Sequence, residues 1–371
     1  MSTSSVEGVY RKAEVIADQL RSAIVGGEYE PGERLPTRQV LCDRYGVSNV
    51  TVQRAFDRLA REGFVVSVER QGTFVAEDSP HLTRYALLFP GRPGAGMRNQ
   101  FFMALAREAE DFSEESNFEL HYGFEGHTGV ERYRALLDDV RNRRLAGVIF
   151  ASPPRALKNS PIVERPGIPR AAFMTPSPAL GLPAVTVDQE EFLRKLVAEV
   201  KNSGRRRVGA IASSRQGVKF AQKLQRVLRE AGIPIEPDWF QAAGLSEPDW
   251  AIPLTRLMMR GEGEERPDCL IVTDDNLLPP VSRSLEELGL SVPDDLHLVA
   301  HCNFPWPTPG AEGAVRIGYC MSDCLHALMR QIDAQREGEE PEPVIRIPAY
   351  HESEYPRPIH PPQWLPAGNG E

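Results

Sequence analysis

Residues 13 to 61 contain three helix-length segments, and their pattern constrains the fold more than any other part of the chain. The first segment repeats small and apolar residues at helical spacing, which predicts one buried face; these residues are Ala13, Ile16, Ala17, Leu20 and Ile24. Gly26-Gly27 predicts the end of this helix, and Pro31-Gly32 predicts a turn after it.

The second and third segments are separated by only a few residues. Thr37 can cap a short helix that runs to Tyr45, and Gly46 breaks that helix within a tight turn. Ser48 then caps the next helix. Two helices joined by so short a turn predict a helix-turn-helix.

Two short apolar strands follow the third helix. After Gly63 the sequences FVVSV and TFVA predict a hairpin around residues 69–72. The three helices and this hairpin together predict a winged helix-turn-helix. The tip of the wing, Arg70 to Thr73, would reach a minor groove or a phosphate.

The third helix has two chemically different faces. The inward stripe is apolar and consists of Val52, Ala55, Phe56 and Leu59. The opposite side and its flanks carry mostly polar residues, which are Asn49, Val50, Gln53, Arg54, Asp57, Arg58 and Arg61. Asn and Gln pair bidentately with adenine, and Arg pairs with guanine or phosphate. This arrangement predicts a helix that reads the major groove of DNA.

We therefore interpret the first part of the chain as a DNA-binding domain; the alternative is a winged helix used for protein contact. The predicted DNA-binding residues are Thr37, Arg38, Gln39, Ser48, Asn49, Thr51, Gln53, Arg54, Arg58, Arg70, Gln71, Gly72 and Thr73.

These segments resemble the GntR family of bacterial repressors. The matching pieces are IADQLRSAIVGGEYEPGERLPT, YGVSNVTVQRAFDRL and the wing's QGTFV, which cover about the first fifth of the chain. The family commonly has Arg at the positions of Gln39, Asn49 and Gln53, while Arg38 and Arg54 lie one residue from such positions. Amides in place of guanidiniums imply an operator that is less centred on guanine.

The charge of the chain is unusual for a DNA-binding protein. The net charge is −9 over 371 residues, and residues 1–78 hold 10 Lys and Arg against 12 Asp and Glu, a net of −2. Nonspecific electrostatic affinity for DNA should therefore be modest, so binding should depend on dimerisation and direct contacts. Five scattered cysteines, no hydrophobic signal core and no membrane-length apolar run predict a cytoplasmic protein without a membrane partner.

The remainder of the chain alternates strands with helices. We predict a DNA-binding domain over 1–78, a linker over 79–84, a two-lobed α/β domain over 85–354, and a Pro-rich, poorly ordered tail over 355–371. Buried β-branched runs between helices predict parallel, doubly wound sheets, and VIRIPAY is the last predicted strand. The length exceeds what one such sheet needs, so we expect two lobes.

This second part resembles the effector domain of the LacI/GalR repressors, which is similar to periplasmic sugar-binding proteins. The resemblance rests on the segments PGRPGAGMRNQFFMALAREAE, PAVTVDQEEFLRKLVAEVKNSGRRRVGAIAS and PDCLIVTDDNLLPPVSRSLEELGLSVPDDLHLVAHCN. GntR-type heads on LacI-type sensors occur in arabinose repressors. The resemblance thus implies a sugar effector bound between two lobes.

The resemblance also implies effector contacts at particular residues. Asp275 aligns with a family Asp that hydrogen-bonds the ligand at the end of a strand; its alternative is a solvated or helix-capping carboxylate. Asn99 is a candidate hydroxyl contact, and Phe102 is a stacking face or a core residue.

Other family positions are altered in this chain. The family has an Arg early in the helix after RVGAIAS, where only Arg215 or Lys219 comes near. An acidic strand end is replaced by Ala300-His301-Cys302-Asn303, in which Asn303 can still hydrogen-bond. Trp306 offers an aromatic platform or a core side chain.

No pattern in the chain indicates catalysis, a resident metal or an organic cofactor. Cys320, Cys324 and His301 lack the spacing of a metal site and fit buried thiols better. Neither the length nor a Schiff-base lysine supports an aminotransferase-like domain, so we predict no enzyme.

The leading prediction is a dimeric repressor that binds a palindromic operator and responds to a small-molecule effector, with a sugar suspected. The alternative is a regulator whose sensor has lost sugar binding and responds to a protein partner or another ligand.

Overall fold

The computed structural model describes residues 3–91, 99–112, 117–123, 131–234, 236–261 and 263–359. By contacts the chain forms two compact units. The first comprises residues 1–90, 112–184 and 328–343, and the second comprises 91–111, 185–327 and 344–371. The chain therefore passes several times from one unit to the other.

The described residues form twelve α-helices and fourteen strands. The helices are α1 (Thr3–Val25), α2 (Arg38–Tyr45), α3 (Asn49–Arg61), α4 (Pro80–Thr83), α5 (Gln100–Asp111), α6 (Glu131–Arg141), α7 (Pro161–Glu164), α8 (Gln189–Asn202), α9 (Gly217–Glu230), α10 (Ala251–Met258), α11 (Leu278–Glu287) and α12 (Met321–Arg336). The strands are β1 (Val65–Val68), β2 (Gly72–Val75), β3 (Arg84–Phe89), β4 (Asn117–Tyr122), β5 (Gly147–Phe150), β6 (Arg170–Phe173), β7 (Ala184–Val187), β8 (Val208–Ser213), β9 (Phe240–Ala243), β10 (Cys269–Val272), β11 (His297–Phe304), β12 (Val315–Cys320), β13 (Val344–Ile347) and β14 (Ala349–His351).

The winged helix has the predicted helices and hairpin. Its core joins the apolar faces of α1 and α3 with the base of the hairpin, and includes Ile16, Leu20, Phe56, Leu59 and Phe64. Strands β1 and β2 pair antiparallel, from Val65 opposite Val75 to Val68 opposite Gly72. The segment predicted as a linker is ordered: Ser79 is fully buried, and α4 leads directly into β3.

The rest of the first unit is built on a parallel sheet in which β6, β5, β3 and β4 are neighbours in that order. Its strands are rich in buried apolar residues, as expected of a sheet covered on both faces. Ile332 of α12 packs closely on Gly147, the first residue of β5. A Cβ at this position would lie 2.5 Å from the Ile332 side chain, which explains the glycine.

The second unit contains a six-stranded sheet in the order β14-β12-β11-β10-β8-β9. Five strands are parallel, as predicted, whereas the edge strand β14 pairs antiparallel with β12. The sequence analysis also missed β9 and β12. In β12, Gly318 lies so close to the neighbouring strand that a Cβ would be 1.8 Å from the Cys302 carbonyl oxygen, which explains a glycine within a strand.

The predicted last strand VIRIPAY is two strands. Pro348 separates β13 from β14, and β13 is a neighbour of β7 whereas β14 belongs to the six-stranded sheet. Proline has no backbone N–H to donate to a sheet, which accounts for the break. The beginning of the predicted tail is also packed: Tyr355 stacks on Phe304 at 4.5 Å between ring centroids.

Candidate functional site

The turn between α2 and α3 is held by local hydrogen bonds. The Thr37 hydroxyl accepts from the Val40 N–H at 3.4 Å and so caps α2. Gly46 ends α2 in the left-handed conformation, with φ of 61°, and its N–H donates to the Cys42 carbonyl. Such a conformation favours glycine, so the turn is fixed by the sequence itself.

Helix α3 buries its apolar stripe and presents the other side outward. Val52, Ala55 and Leu59 are fully buried, whereas Val50 is 59% exposed. An exposed valine on a recognition helix offers a methyl contact for thymine. The predicted residues at the start of the helices are also exposed: Thr37, Arg38, Gln39, Ser48 and Asn49. Thr51 differs, because it is buried and its hydroxyl lies 3.0 Å from that of Ser48.

The polar groups of this surface pair with one another. Arg38 donates to the Gln53 side-chain oxygen at 2.5 Å, and the Gln53 amide donates to Asp57 at 2.7 Å. Gln39 donates in the same way to Asp43 at 3.0 Å. These bonds hold the side chains in position before DNA binds. A bound duplex would replace them with bonds to its bases and phosphates.

Two predicted arginines are held by neighbouring helices. The Arg54 guanidinium lies 4.4 Å from the ring centroid of Tyr10, which places α1 beside the recognition helix. Arg58 donates to Glu62 at 3.0 Å and approaches Glu14 at 3.4 Å. Glu62 also binds Arg21 at 2.5 Å and Arg144 at 3.4 Å, so it links α1, α3 and the sheet part of the first unit.

The wing tip is the most exposed part of this surface. The Arg70 side chain is 91% exposed, and its backbone is left-handed with φ of 61°. The Gln71 N–H donates to the Val68 carbonyl, and the Thr73 hydroxyl lies 3.3 Å from that of Ser67. Gly72 has φ of 128°, and a Cβ there would lie 2.7 Å from Arg34 Nε. Arg34 is thus a second cation beside the wing, and the sequence analysis missed it.

The predicted effector residues lie in the second unit, where Asp275 and Asn303 are directly bonded. Both are 3% exposed, and the Asn303 amide donates to the Asp275 carboxylate. The Asn276 amide lies 3.4 Å from the other carboxylate oxygen. Asp275 thus follows β10 at the carboxyl ends of the strands, as predicted, but its oxygens are occupied by neighbours.

His301 is the residue of this cluster that the sequence analysis did not recognise. Its Nδ1 lies 3.8 Å from Asp275 Oδ1, and its ring centroid is 5.8 Å from that of Phe192 and 5.7 Å from that of Tyr319. Burial raises the pKa of Asp275. Burial also opposes the charge on His301, but the adjacent Asp275 carboxylate outweighs it and raises the pKa of His301. The pair therefore retains a proton more strongly than the separate groups do.

The three aromatic and amide candidates around α5 have structural contacts. The Asn99 side chain accepts from the Phe102 N–H at 3.3 Å and so caps α5, and Phe102 is 3% exposed. The Trp306 indole donates to Glu108 at 3.1 Å, and the Arg107 guanidinium lies 5.6 Å from its ring. Phe102 and Trp306 are therefore buried core side chains in this structure, which is the alternative that the sequence analysis left open for both.

Asp275, Asn303 and Trp306 line one small cavity together with residues of α5. Its volume of about 10 Å³ is room for about one water molecule. A sugar therefore requires this group of side chains to separate. Lys219 is exposed on α9, and neither it nor Arg215 lines this cavity; the side chain of Arg215 lies outside the described part of the structure. Gln216, just before α9, exchanges two hydrogen bonds with Thr273, the residue after β10.

The five cysteines are free thiols, and burial raises the pKa of Cys302, Cys320 and Cys324. Within the described ranges, no group of three or more metal-binding side chains forms. Helices long and apolar enough to cross a bilayer are also absent from the described part of the chain.

Comparison with known proteins also divides the chain into a winged helix and an α/β part. Residues 12–75 match the bacterial regulatory proteins of the gntR family, and residues 197–348 match a periplasmic binding protein-like domain. The arabinose metabolism transcriptional repressor of Geobacillus stearothermophilus is 23% identical over 303 residues, which are 79% of this chain and 82% of the relative. The mannosyl-D-glycerate transport/metabolism system repressor of Escherichia coli (strain K12) is 41% identical over 63 residues, 17% of this chain and 26% of the relative.

Solved structures share the fold of the second part. A regulatory protein of the LacI family from Chloroflexus aggregans has a TM-score of 0.54 at 19% identity, covering 73% of this chain and 98% of its own. A ribose operon repressor homologue from Burkholderia thailandensis has a TM-score of 0.52 at 21% identity, covering 72% and 98%. The predicted fold class, a winged helix-turn-helix followed by a two-lobed periplasmic-binding-protein-like domain, is confirmed. The chain is a DNA-binding transcription regulator.

Proposed function

We propose that this chain is a repressor that binds an approximately palindromic operator as a homodimer and releases or retains it in response to a sugar. The observation that carries the proposal is the polar side of α3, which presents Gln53 and Arg54, together with a wing whose tip exposes the cation Arg70. The similarity to an arabinose metabolism repressor, which extends over 79% of this chain, supports a sugar as the effector class.

Dimerisation follows from the small surface and low charge of the head. One winged helix contacts few bases, and the net charge of −2 over residues 1–78 provides little nonspecific attraction. Two heads on one duplex add their contacts and read two half-sites. The cytoplasm is the proposed compartment, because an operator lies there and all five cysteines are free thiols.

The proposed effector contacts are the hydrogen-bonding groups of Asp275 and Asn303 and the faces of Trp306 and Phe102, with Asn99 and an early residue of α9 beside them. A carboxylate accepts two sugar hydroxyls, and an indole face packs on a sugar ring. Because Asp275 is bonded to Asn303 in this structure, the sugar would take over an existing bond.

A sensor that responds to a protein partner is the second candidate function. It is favoured by the cavity beside Asp275, which holds about one water molecule, and by the occupied carboxylate. The second unit also exposes two large apolar side chains, Trp250 at 61% and Leu257 at 57%. The small cavity, the occupied carboxylate and the exposed apolar side chains are the observations that a sugar sensor leaves unexplained.

Selection of duplexes from a random-sequence pool tests the DNA function and identifies the operator sequence in the same experiment. We expect the full-length protein to enrich an inverted repeat and to protect both halves in a footprint. The control is a double variant, Gln53→Ala with Arg54→Ala, which should enrich nothing. Enrichment of a single half-site, or of no sequence by the wild-type protein, would contradict the proposal.

A thermal-shift screen with monosaccharides, beginning with arabinose, tests the effector. We expect a sugar that raises the unfolding temperature to change operator affinity as well. The Asp275→Asn variant keeps the shape of the side chain but cannot accept as many hydroxyls, so it should lose the response. If no sugar shifts unfolding and the immobilised full-length protein instead captures one cellular protein through Trp250 and Leu257, the second candidate replaces the first.

A further inference from the structure

A second cavity lies within the first unit, where the winged helix meets the sheet part. It has a volume of about 490 Å³, within the range of small-molecule sites. The winged helix contributes the end of α1, the turn after it, the end of β2 and the helix α4. The other wall comes from residues 143–146, residues 167–169 and the end of α12.

Hydrogen bonds hold the walls of this cavity in place. The buried Arg170 guanidinium donates to the carbonyls of Ile162 at 2.5 Å and Ile168 at 2.7 Å, which fixes the loop that forms one wall. Gln335 exchanges two bonds with the Arg170 backbone, at 2.8 and 3.1 Å. Arg336 donates to the Leu82 carbonyl at 2.9 Å and so ties α12 to the helix α4. The cavity is therefore preformed.

One polar side chain in the lining lacks a partner. His81 is 9% exposed, and its Nδ1 is buried without a hydrogen-bond partner among the described residues. Its ring stacks on Phe64 at 5.6 Å. Burial, with a smaller effect of Arg336, lowers the pKa of His81 to about 4, so the ring is neutral at physiological pH. A buried polar atom of this kind is stabilised by a ligand that bonds to it.

The rest of the lining combines apolar side chains with polar and charged ones. Two guanidiniums, Arg143 and Arg336, face one carboxylate, Glu30, and Arg336 is already 3.4 Å from Asp333. Arg143 keeps a left-handed backbone with φ of 52°, a conformation that costs energy in a residue other than glycine. The apolar side chains of the lining are Ile24, Val25, Pro31, Val75, Leu82, Leu145, Ala146, Ile168 and Pro169.

We propose that this cavity is a second regulatory site, which binds a small organic acid with an apolar body. The anionic group pairs with Arg143, a polar atom of the ligand bonds to His81, and the apolar body packs on Leu82 and Ile168. Because such a ligand contacts both the winged helix and the sheet part, it stabilises their docked arrangement. Its effect on operator binding rests on the proposed function, whereas its binding does not.

Anilinonaphthalene sulfonate, a fluorescent anion with an apolar aromatic body, is the probe. We expect it to bind the full-length protein at one saturable site per chain. Arg143→Glu and His81→Phe, which keeps the stacked ring on Phe64, should each weaken binding at least tenfold. Arg141→Glu is the matched control, because Arg141 is exposed at the same helix end but does not line the cavity.

Equal affinity of the Arg143→Glu and Arg141→Glu variants would overturn the site. Circular dichroism establishes that each variant is folded. Leu82→Trp provides an independent test, since it fills the cavity without changing charge. Probe binding that is unaffected by Leu82→Trp would also overturn the site. Saturating probe should change operator affinity in the wild type and in Arg141→Glu, but not in Arg143→Glu. Binding at the cavity with no change in operator affinity would refute its regulatory role while leaving the DNA function intact.

Discussion

The winged helix and the Asp275 cluster use similar polar side chains in opposite ways. On α3, Gln53 is half-buried and pairs with Arg38 and Asp57 at a surface that water reaches. In the second unit, Asp275 and Asn303 are each 3% exposed and bond to one another. The first arrangement holds side chains ready for a partner, whereas the second contributes to the stability of its own unit.

The difference follows from the cost of leaving a polar group unpaired. At a surface, water replaces a lost partner, so an exchange of bonds with DNA costs little. In a buried cluster no water is available, and each lost bond leaves a desolvated donor or acceptor. A ligand of the Asp275 cluster must therefore supply bonds as good as those that it displaces. The variants below test whether the two regions differ in this way.

The largest effect is expected for Asp275→Ala. Removal of the carboxylate leaves the Asn303 amide without its acceptor and His301 without its counter-charge, so the second unit should lose about 3 kcal/mol of unfolding free energy. Urea unfolding followed by circular dichroism measures it. Asp294→Ala, at an exposed position of the same unit, is the control and should change stability by less than about 0.5 kcal/mol. If Asp275→Ala lost no more unfolding free energy than Asp294→Ala, the Asp275 cluster would not stabilise the second unit.

On the winged helix the opposite pattern is expected. Gln53→Ala and Arg54→Ala should each weaken operator binding by about 1–3 kcal/mol, because each removes a base or phosphate contact. Neither should change the unfolding free energy appreciably, since both side chains stand outside the apolar core. Fluorescence anisotropy with the selected duplex measures the affinity. Wild-type affinity in both variants would remove α3 from the interface.

The sequence was sufficient for the winged helix because its signals are local. The cap at Thr37, the turn at Gly46 and the stripe from Val52 to Leu59 all act within one or two helical turns. Ser48 occupies the N-cap position of α3, but its hydroxyl lies against that of Thr51 and makes no capping bond to the backbone, so that part of the prediction is wrong. Even there, the sequence did not reveal that Glu62 joins Arg21, Arg58 and Arg144, because those partners come from distant segments.

For the second unit the sequence predicted the position of Asp275 after a strand, but not its partners. The contact with His301 depends on the register of β10 and β11, which spacing along the chain does not specify. The break at Pro348 and the close packing at Gly318 likewise depend on which strands become neighbours. Periodicity thus predicts elements, whereas the site depends on their pairing.

The buried pair should also give the second unit a pH dependence that the winged helix surface lacks. The folded pKa of His301 is raised, so its stabilising contribution is complete below the unfolded value near 6.5 and is lost as pH rises through the folded value. The raised pKa of Asp275 acts in the same direction, since ionisation is disfavoured in the folded state. Stability should therefore fall as pH rises above about 6.5 and through the folded pKa of His301, and His301→Phe should flatten that part of the profile. An unchanged slope in the variant would assign the dependence to other groups.

The smallest effect is expected at the wing. Arg70 is 91% exposed and lies 3.8 Å from Glu69, which is equally exposed, so neither the fold nor a preformed network depends on it. If Arg70 neutralises one phosphate, Arg70→Ala should reduce the slope of log affinity against log salt by about 1 per head while leaving the preferred operator sequence unchanged. Titrations at several salt concentrations measure this slope, with Arg226→Ala on α9 as a charge-matched control. A changed sequence preference with an unchanged slope would instead make Arg70 a base-reading residue, and the wing would then resemble α3 in its role.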